Sequence, residues 1–448
     1  MGYLQKKLTS SQIIIIGFAS VILFGTLLLM LPFATINGNG AGFKDALFTA
    51  TSAVCVTGLI VQDTATYWSY FGQGVILLLI QIGGMGVVTL AVAFTMLSGK
   101  RISLKQRSTM QEAISAPQVG GIVKFTGFIL IMTLIFELLG AVLMSPIFCK
   151  EFGLFRGIWY SLFHSVSAFC NAGFDLMGVK EPYSSLTYFA GNPTINFTIM
   201  SLIVIGGIGF LTWEDIRTHK WNVKRYRMQS KVILATTALL IILPTIYFFF
   251  FEFQDMMLKN RMLESLFQAI TPRTAGFNTA DLTQISESGL AIMILLMLIG
   301  GSPGSTAGGM KTTTFAVMVS TAISVFRRRE HTNFFGRRIE DDTIRNASTI
   351  LMMYLTFFFA GGLMISSIEG LPLVTCLFET ASAIGTVGLT LGITPQLGTV
   401  SQLILICLMY LGRVGGLTLI FAALSVDKKV LIKYPKEKMT VGLGGGYL

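Results

Sequence analysis

Charge is what this chain has least of. Only 12% of its 448 residues are Asp, Glu, Lys or Arg, while 53% are apolar. A soluble domain carries about 25% charged residues. The deficit concentrates in runs with no charge at all, such as residues 13–31, 75–97 and 232–251. About 20 apolar residues cross the hydrocarbon core of a bilayer. The chain therefore reads as an integral membrane protein, and its length does not count soluble domains. Histidine and cysteine are also scarce, at 3 and 5. Cys55, Cys149, Cys170, Cys376 and Cys407 have no metal-ligand spacing, so they read as small buried side chains. No Ser/His/Asp, Cys/His or two-carboxylate set lies near a common depth, which argues against an enzyme. There is no GxxxxGK[ST] and no strand-rich soluble segment, so any nucleotide control must come from another polypeptide. Arg327-Arg328-Arg329 is contiguous, unlike the spaced array of a voltage sensor, and reads as an inner anchor. The apolar run after Gln5-Lys6-Lys7 is too long for a signal-peptide core and lacks a cleavage site, so it reads as a retained span.

The charge that is present has a direction. The formal net charge of +11 could suggest nucleic-acid binding, but its placement argues otherwise. With a cytoplasmic N-terminus, the inner segments hold 24 of the 33 Lys and Arg and the outer segments seven. The remaining two, Lys311 and Arg413, lie within apolar stretches. This positive-inside bias places both termini in the cytoplasm.

Eight spans fall into four pairs: 12–31 with 74–97, 122–148 with 195–213, 232–253 with 290–326, and 349–368 with 400–424. Helix is the default spanning structure. Within each pair lies a segment of about three turns, too short to cross: 43–54, 158–169, 262–272 and 373–384. Each contains a Leu-Phe pair, at Leu47-Phe48, Leu162-Phe163, Leu266-Phe267 and Leu377-Phe378. Each leads into a quartet ending in glycine: Cys55-Val56-Thr57-Gly58, Cys170-Asn171-Ala172-Gly173, Arg273-Thr274-Ala275-Gly276 and Gly385-Thr386-Val387-Gly388. The closing glycines are 115, 103 and 112 residues apart. A second mark recurs in register, a glycine cluster in each second span: Gly83-Gly84-Met85-Gly86, Gly206-Gly207-Ile208-Gly209, Gly300-Gly301-Ser302-Pro303-Gly304 and Gly412-Arg413-Val414-Gly415. Glycine lets helices approach or bend. The expected fold is an all-α membrane protein of four parallel helix–pore loop–helix repeats, in pseudo-four-fold arrangement around a single pore. The repeats divide as 1–100, 101–230, 231–345 and 346–448. Parallel repeats with re-entrant loops favour a pore over the inverted repeats common in secondary transporters.

A dehydrated cation needs oxygens in place of its water, and backbone carbonyls aimed at one axis supply them. Aligning successive carbonyls takes backbone angles that glycine adopts without a Cβ penalty. The expected ion filter is Val56, Thr57, Gly58, Asn171, Ala172, Gly173, Thr274, Ala275, Gly276, Thr386, Val387 and Gly388. None of the quartets holds Asp or Glu, so a monovalent ion is favoured over a divalent one. The half-helix dipoles would aim their negative ends at that ion. In the third span pair, Gly300, Gly301, Ser302, Pro303, Gly304, Ser305, Thr306, Ala307, Gly308, Gly309, Met310, Lys311 and Thr312 interrupt a membrane-length stretch. Five glycines and a proline cannot hold a regular helix, so this run should line the aqueous path.

These residues resemble the potassium-translocating subunits of the Ktr, Trk and HKT superfamily over nearly the whole chain. A first span near residue 12 is similar to the Ktr-type subunit. Four filter glycines match the potassium-selective members. The third repeat departs slightly, with 9 residues from Phe267 to Gly276 against 10 elsewhere, and carries Pro272-Arg273. The resemblance implies potassium uptake through a channel-like pore, with potassium as the transported ion and no covalently bound cofactor. It implies that 300–312 is an intramembrane gate loop. It also implies a homodimer in the cell membrane, one pore per chain, under a cytoplasmic ring of regulatory subunits with nucleotide-binding, RCK-type Rossmann domains. The partners are then that ring and the lipid bilayer, and not nucleic acid.

Arg413 stands where the other clusters carry glycine. A charge at that depth faces an interior or a water-filled cavity. It either holds the gate loop through carbonyls and opposes conduction, or anchors two helices through a carboxylate. Glu137 and His164 read as packed polar residues, and 441–448 as a flexible tail. The rival function is a secondary transporter coupling sodium or proton entry to solute movement.

Overall fold

A computed structural model describes residues 9–97, 102–114 and 120–416, together with Thr418 and Glu437. The expected tail at 441–448, Lys6 and Lys7, and the far end of the last span lie outside the described residues.

Among the described residues, the regular elements are helices apart from a two-stranded hairpin, β1 (Asn333–Phe334) with β2 (Arg337–Arg338). One order of elements recurs four times: a long helix, a short helix, a loop and a second helix. The first set is α1 (Ser10–Leu29), α2 (Phe43–Cys55), the single turn α3 (Thr64–Tyr67), α4 (Tyr70–Met85) and α5 (Val87–Leu97). A connecting helix, α6 (Leu104–Ala113), leads to α7 (Ile122–Phe152), α8 (Leu154–Phe169), α9 (Pro193–Gly207) and α10 (Phe210–His219). The third set is α11 (Met228–Tyr247), extended by a π-turn over Phe248–Glu252, then α12 (Leu258–Ile270), α13 (Glu287–Leu298) and α14 (Thr312–Phe326). The fourth is α15 (Asp341–Glu369), α16 (Leu373–Gly385) and α17 (Thr399–Val414).

The long helices follow from apolar length. Four segments are long and apolar enough to cross a membrane: Ser10–Leu29, Ile122–Phe152, Met228–Glu252 and Asp341–Glu369. Their outer faces stay apolar: Leu134, Leu138 and Val142 of α7 are exposed, as a lipid-facing helix requires. Helix starts are set by short polar side chains. Thr9 and Gln12 form a capping box on α1, and Asn192 caps α9 ahead of Pro193. Glu252 accepts from Ser286 N–H at 3.1 Å and Glu369 from Gly398 N–H at 2.9 Å, tying the ends of the third and fourth long helices to the starts of α13 and α17.

The expected second spans need correction. Residues 74–97 and 195–213 are not single helices. Each bends by 97°, between α4 and α5 and between α9 and α10. The breaks fall at Gly86 (φ 86°) and Gly209 (φ 90°), and Gly415 (φ 88°) ends α17 in the same way. A helix cannot pass through positive φ. The first glycine of these clusters has a different reason to be glycine. A Cβ on Gly83, Gly206 or Gly412 would lie 2.1, 2.0 or 2.2 Å from the carbonyl oxygen of Val54, Phe169 or Ile384. Those carbonyls end the short helices, so each second helix lies directly against a short one. The short helices are the most buried elements: Phe48, Phe163, Phe267 and Phe378 are all fully buried.

Candidate functional site

Within one to four residues of its end, each short helix is followed by a left-handed residue that is not glycine. Val56, Asn171, Thr274 and Thr386 have φ of 56°, 59°, 76° and 51°. Two residues later Gly58, Gly173, Gly276 and Gly388 take φ of 91°, 70°, 85° and 98°. For a β-branched residue positive φ is a genuine outlier, and each such residue costs about 1–3 kcal/mol. The surroundings must therefore hold it. In every loop a hydroxyl residue four positions after the buried Phe does so. Ser52 accepts from Thr57 N–H through its carbonyl (2.8 Å) and from Gly58 N–H through its hydroxyl (3.1 Å). Ser382 repeats this with Val387 (2.8 Å) and Gly388 (3.0 Å). Ser167 accepts from Ala172 N–H (2.8 Å), but its hydroxyl donates to the Phe174 carbonyl (2.7 Å). Thr271 accepts from Ala275 N–H (3.0 Å) and donates to the Phe277 carbonyl. These four hydroxyl residues, which hold the loops, were missed by the sequence reading. The signal was there, as Phe-x-x-x-Ser/Thr in all four segments.

The four loops meet. A Cβ on Gly58 would lie 2.5 Å from the Ala172 oxygen, and one on Gly173 2.7 Å from the Ala275 oxygen. One on Gly276 would lie 2.2 Å from the Val387 oxygen, and one on Gly388 2.2 Å from the Thr57 oxygen. The contacts close a cycle, each loop's glycine against the next loop's middle carbonyl. All twelve residues named from the sequence are buried at this junction. Thr57, Thr274 and Thr386 carry hydroxyls, and Asn171 a side-chain oxygen, with no hydrogen-bond partner. Buried oxygens left over in this way are of the kind that a water or a cation satisfies. Just past Gly173 the carboxyl of Asp175 is pushed up to about 7 by burial, against a hydrogen bond from Met177 N–H and with the Asp63 carboxylate adding to the rise.

Residues 299–311 form a loop between α13 and α14, so Thr312, expected in the loop, is instead the first residue of α14. A bridge between Ile299 and Met310 closes its neck, and Thr312 N–H donates to the Gly301 carbonyl at 3.0 Å. The loop packs beneath the left-handed residues. Thr306 donates its hydroxyl to the Phe169 carbonyl (3.0 Å) and accepts from Asn171 Nδ2 (3.0 Å). Ser302 and Thr306 N–H donate to the carbonyls of Gly207 (3.0 Å) and Gly206 (3.2 Å). Gly309 N–H donates to the Gly412 carbonyl at 3.1 Å, and a Cβ on Gly308 would meet Thr386 Oγ1 at 2.2 Å.

Arg413 pairs with no carboxylate among the described residues. Its guanidinium donates to the carbonyls of Thr306 in the loop, Gly83, and Gly84 (2.9 Å) at the end of α4. It thus joins the loop to the first segment, which matches the carbonyl-holding alternative. Lys311 Nζ donates to the Ala307 carbonyl at 2.9 Å. Both cations line a cavity of about 320 Å³ with Glu112, Ser305 and Tyr354. Glu137 is buried beside Cys170 Sγ (3.9 Å). His164 is buried with Nε2 3.2 Å from the Leu176 N–H, which must donate, so Nδ1 carries the proton shared with the Tyr160 carbonyl (2.7 Å).

Comparison with known proteins places this architecture. The profile of TrkH, described as a cation transport protein, matches residues 5–432. The chain is 39% identical to the potassium/sodium uptake protein NtpJ of Enterococcus hirae, over 98% of both chains. It is 37% identical to the Ktr system potassium uptake protein B of Bacillus subtilis, over 97% of both. The fold is similar to the crystal structure of the potassium transporter TrkH from Vibrio parahaemolyticus. That match has a TM-score of 0.70 and 19% identity, covering 90% of this chain and 84% of the other. The relatives are transport proteins rather than enzymes, in agreement with the expectation from composition.

Proposed function

The chain belongs to the TrkH family of cation transport proteins, and from that premise we propose that this multi-pass membrane protein takes up potassium through a channel-like pore. The four element sets act as repeats around that pore. The filter is the ring at Gly58, Gly173, Gly276 and Gly388, with Val56, Thr57, Asn171, Ala172, Thr274, Ala275, Thr386 and Val387 completing it. The observation that carries this reading is the cyclic contact of the four loops: no arrangement of scattered turns brings four backbone segments carbonyl-to-glycine in a closed circuit. The loop 299–311 lies across one end of that ring, with Thr306 and Gly308 against the filter residues Asn171 and Thr386. It is the gate, and Arg413 is its latch. A fixed cation under the filter also opposes the passage of another cation.

The two related Ktr proteins from Bacillus subtilis and Vibrio alginolyticus are named as components of a system. Those names support a separate regulatory subunit for this chain; we take it to be a cytoplasmic nucleotide-binding ring of RCK type, acting on a homodimer in the cell membrane with both termini cytoplasmic. The Enterococcus hirae relative is named for potassium and sodium, so the ion is tested directly. Vesicles holding the purified chain are loaded with potassium, sodium or neither, and uptake is followed down imposed gradients. Passive potassium flux set by its own gradient supports the pore. A fixed stoichiometry with sodium or protons would replace it with a coupled transporter.

A further inference from the structure

Arg273 is neither among the twelve residues read as the filter nor part of the proposed latch. It precedes the left-handed residue of the third loop, where the other loops carry Cys55, Cys170 and Gly385. It is 7% exposed. Among the described residues its guanidinium makes one long hydrogen bond, Nη2 to Thr237 Oγ1 at 3.4 Å, and Nε makes none. No carboxylate among them pairs with it. A guanidinium has five N–H donors, and a buried cation left unpaired is costly.

Its surroundings show what it could reach. Arg273 borders a cavity of about 10 Å³, room for about one water. The other walls are Ile203, Val204 and Gly207 from the last turn of α9, Ile270 at the end of α12, and Gly301 of the gate loop. Two helices thus end toward the guanidinium, and helix C-termini attract cations. The α9 carbonyls are occupied, however: Gly206 and Gly207 accept from Thr306 and Ser302 of the loop. The matching carbonyls of α4, Gly83 and Gly84, accept from Arg413. One pair of equivalent carbonyls is held by an arginine. The other is held by loop backbone, and a second arginine, Arg273, lines the same small cavity as Gly207.

We propose that Arg273 is the loop's replacement. When the loop withdraws, the Gly206 and Gly207 carbonyls lose their donors, and the Arg273 guanidinium takes them as Arg413 takes Gly83 and Gly84. Arg273 is thereby a positioning residue that stabilises the loop-withdrawn state. This rests on the gating role of the loop.

The test is a cycle of variants assayed by potassium uptake in vesicles: the parent, Thr306→Val, Arg273→Gln, and both together. Thr306→Val removes the hydroxyl bonds to Phe169 and Asn171, so it raises basal flux. Adding Arg273→Gln lowers the maximal flux of that protein by about tenfold, the effect of one charge-assisted hydrogen bond, with KM and the potassium/sodium ratio unchanged. Arg273→Lys on the same background keeps the charge and restores part of the flux. It decides the question if the Gln variant does not accumulate. Unchanged flux in the double variant overturns the proposal, and so does an altered ion ratio at unchanged maximal flux, which would place Arg273 on the filter. If Thr306→Val alone fails to raise flux, the loop is not a gate and the proposal falls with it.

Discussion

Replacing Gly388 by alanine tests the ring most directly. The new Cβ would sit 2.2 Å from the Thr57 carbonyl oxygen and 2.9 Å from the Gly58 Cα. A carbon and a carbonyl oxygen rest no closer than about 3.3 Å. Both partners are backbone, so relief requires the first and fourth loops to part by about 1 Å. The φ of 98° adds a second cost, about 1–3 kcal/mol for a residue with a side chain. The two costs can be separated. Gly392 has φ of 89° with nothing within 4 Å of an added Cβ. Gly392→Ala therefore carries the conformational cost without the collision. Uptake of potassium and of sodium is measured in vesicles for both variants, with thermal unfolding as a check on folding. Gly388→Ala should lose at least about tenfold in potassium uptake, which corresponds to ~1.4 kcal/mol at the filter, or lose its preference between the ions. Gly392→Ala should transport like the parent. Equal impairment of the two variants would show that backbone strain is the cause, not ring closure. Normal transport by Gly388→Ala would refute the filter assignment itself.

Three further outcomes follow from the same geometry. Ser52→Ala and Ser382→Ala each remove the acceptor for a buried glycine N–H, which costs about 1–3 kcal/mol. Each should lower the melting temperature and widen the range of ions taken up, read by the potassium/sodium uptake ratio. Arg413→Gln removes a charge that donates to three backbone carbonyls; basal uptake should rise by about tenfold from the loss of a charge-assisted bond. Glu369→Ala removes the carboxylate that accepts from Gly398 N–H and Ser401; it should cost about 1–2 kcal/mol by thermal unfolding while leaving the ion ratio unchanged.

Much of the site was legible because its marks are local. The short helices expected at 43–54 and 373–384 are found at Phe43–Cys55 and Leu373–Gly385, since apolar length and a closing glycine fix both ends. The bends at Gly86 and Gly209 were legible only in part. The glycine clusters marked places where helices approach or bend, but hydropathy sees unbroken apolar runs there and gives neither the size of the bend nor which glycine takes positive φ. The left-handed Val56 and Thr386 were hidden for the opposite reason: nothing about a valine or threonine announces a conformation that it disfavours. The choice between carbonyls and a carboxylate for Arg413 was likewise open in sequence. Its partners, Gly83 and Thr306, are backbone groups from segments 330 and 107 residues away.

The strain and the ring explain one another. Four residues with side chains are held in the left-handed region at cost. The hydrogen bonds within each loop are joined by a contact between loops, each glycine closed off by a neighbour's carbonyl. The close approach of each glycine to the next loop's carbonyl couples the four loops, so a change in one is felt by its neighbours. That is the rigidity a filter needs to hold oxygens at a fixed spacing. It also explains why the third loop tolerates being one residue shorter: its carbonyl positions are set by Gly173 and Val387 on either side rather than by its own length. Inserting one residue between Thr271 and Arg273 should consequently leave the ring closed and potassium uptake measurable. Loss of uptake on that insertion would mean that each loop sets its own geometry, and the cooperative account would fail.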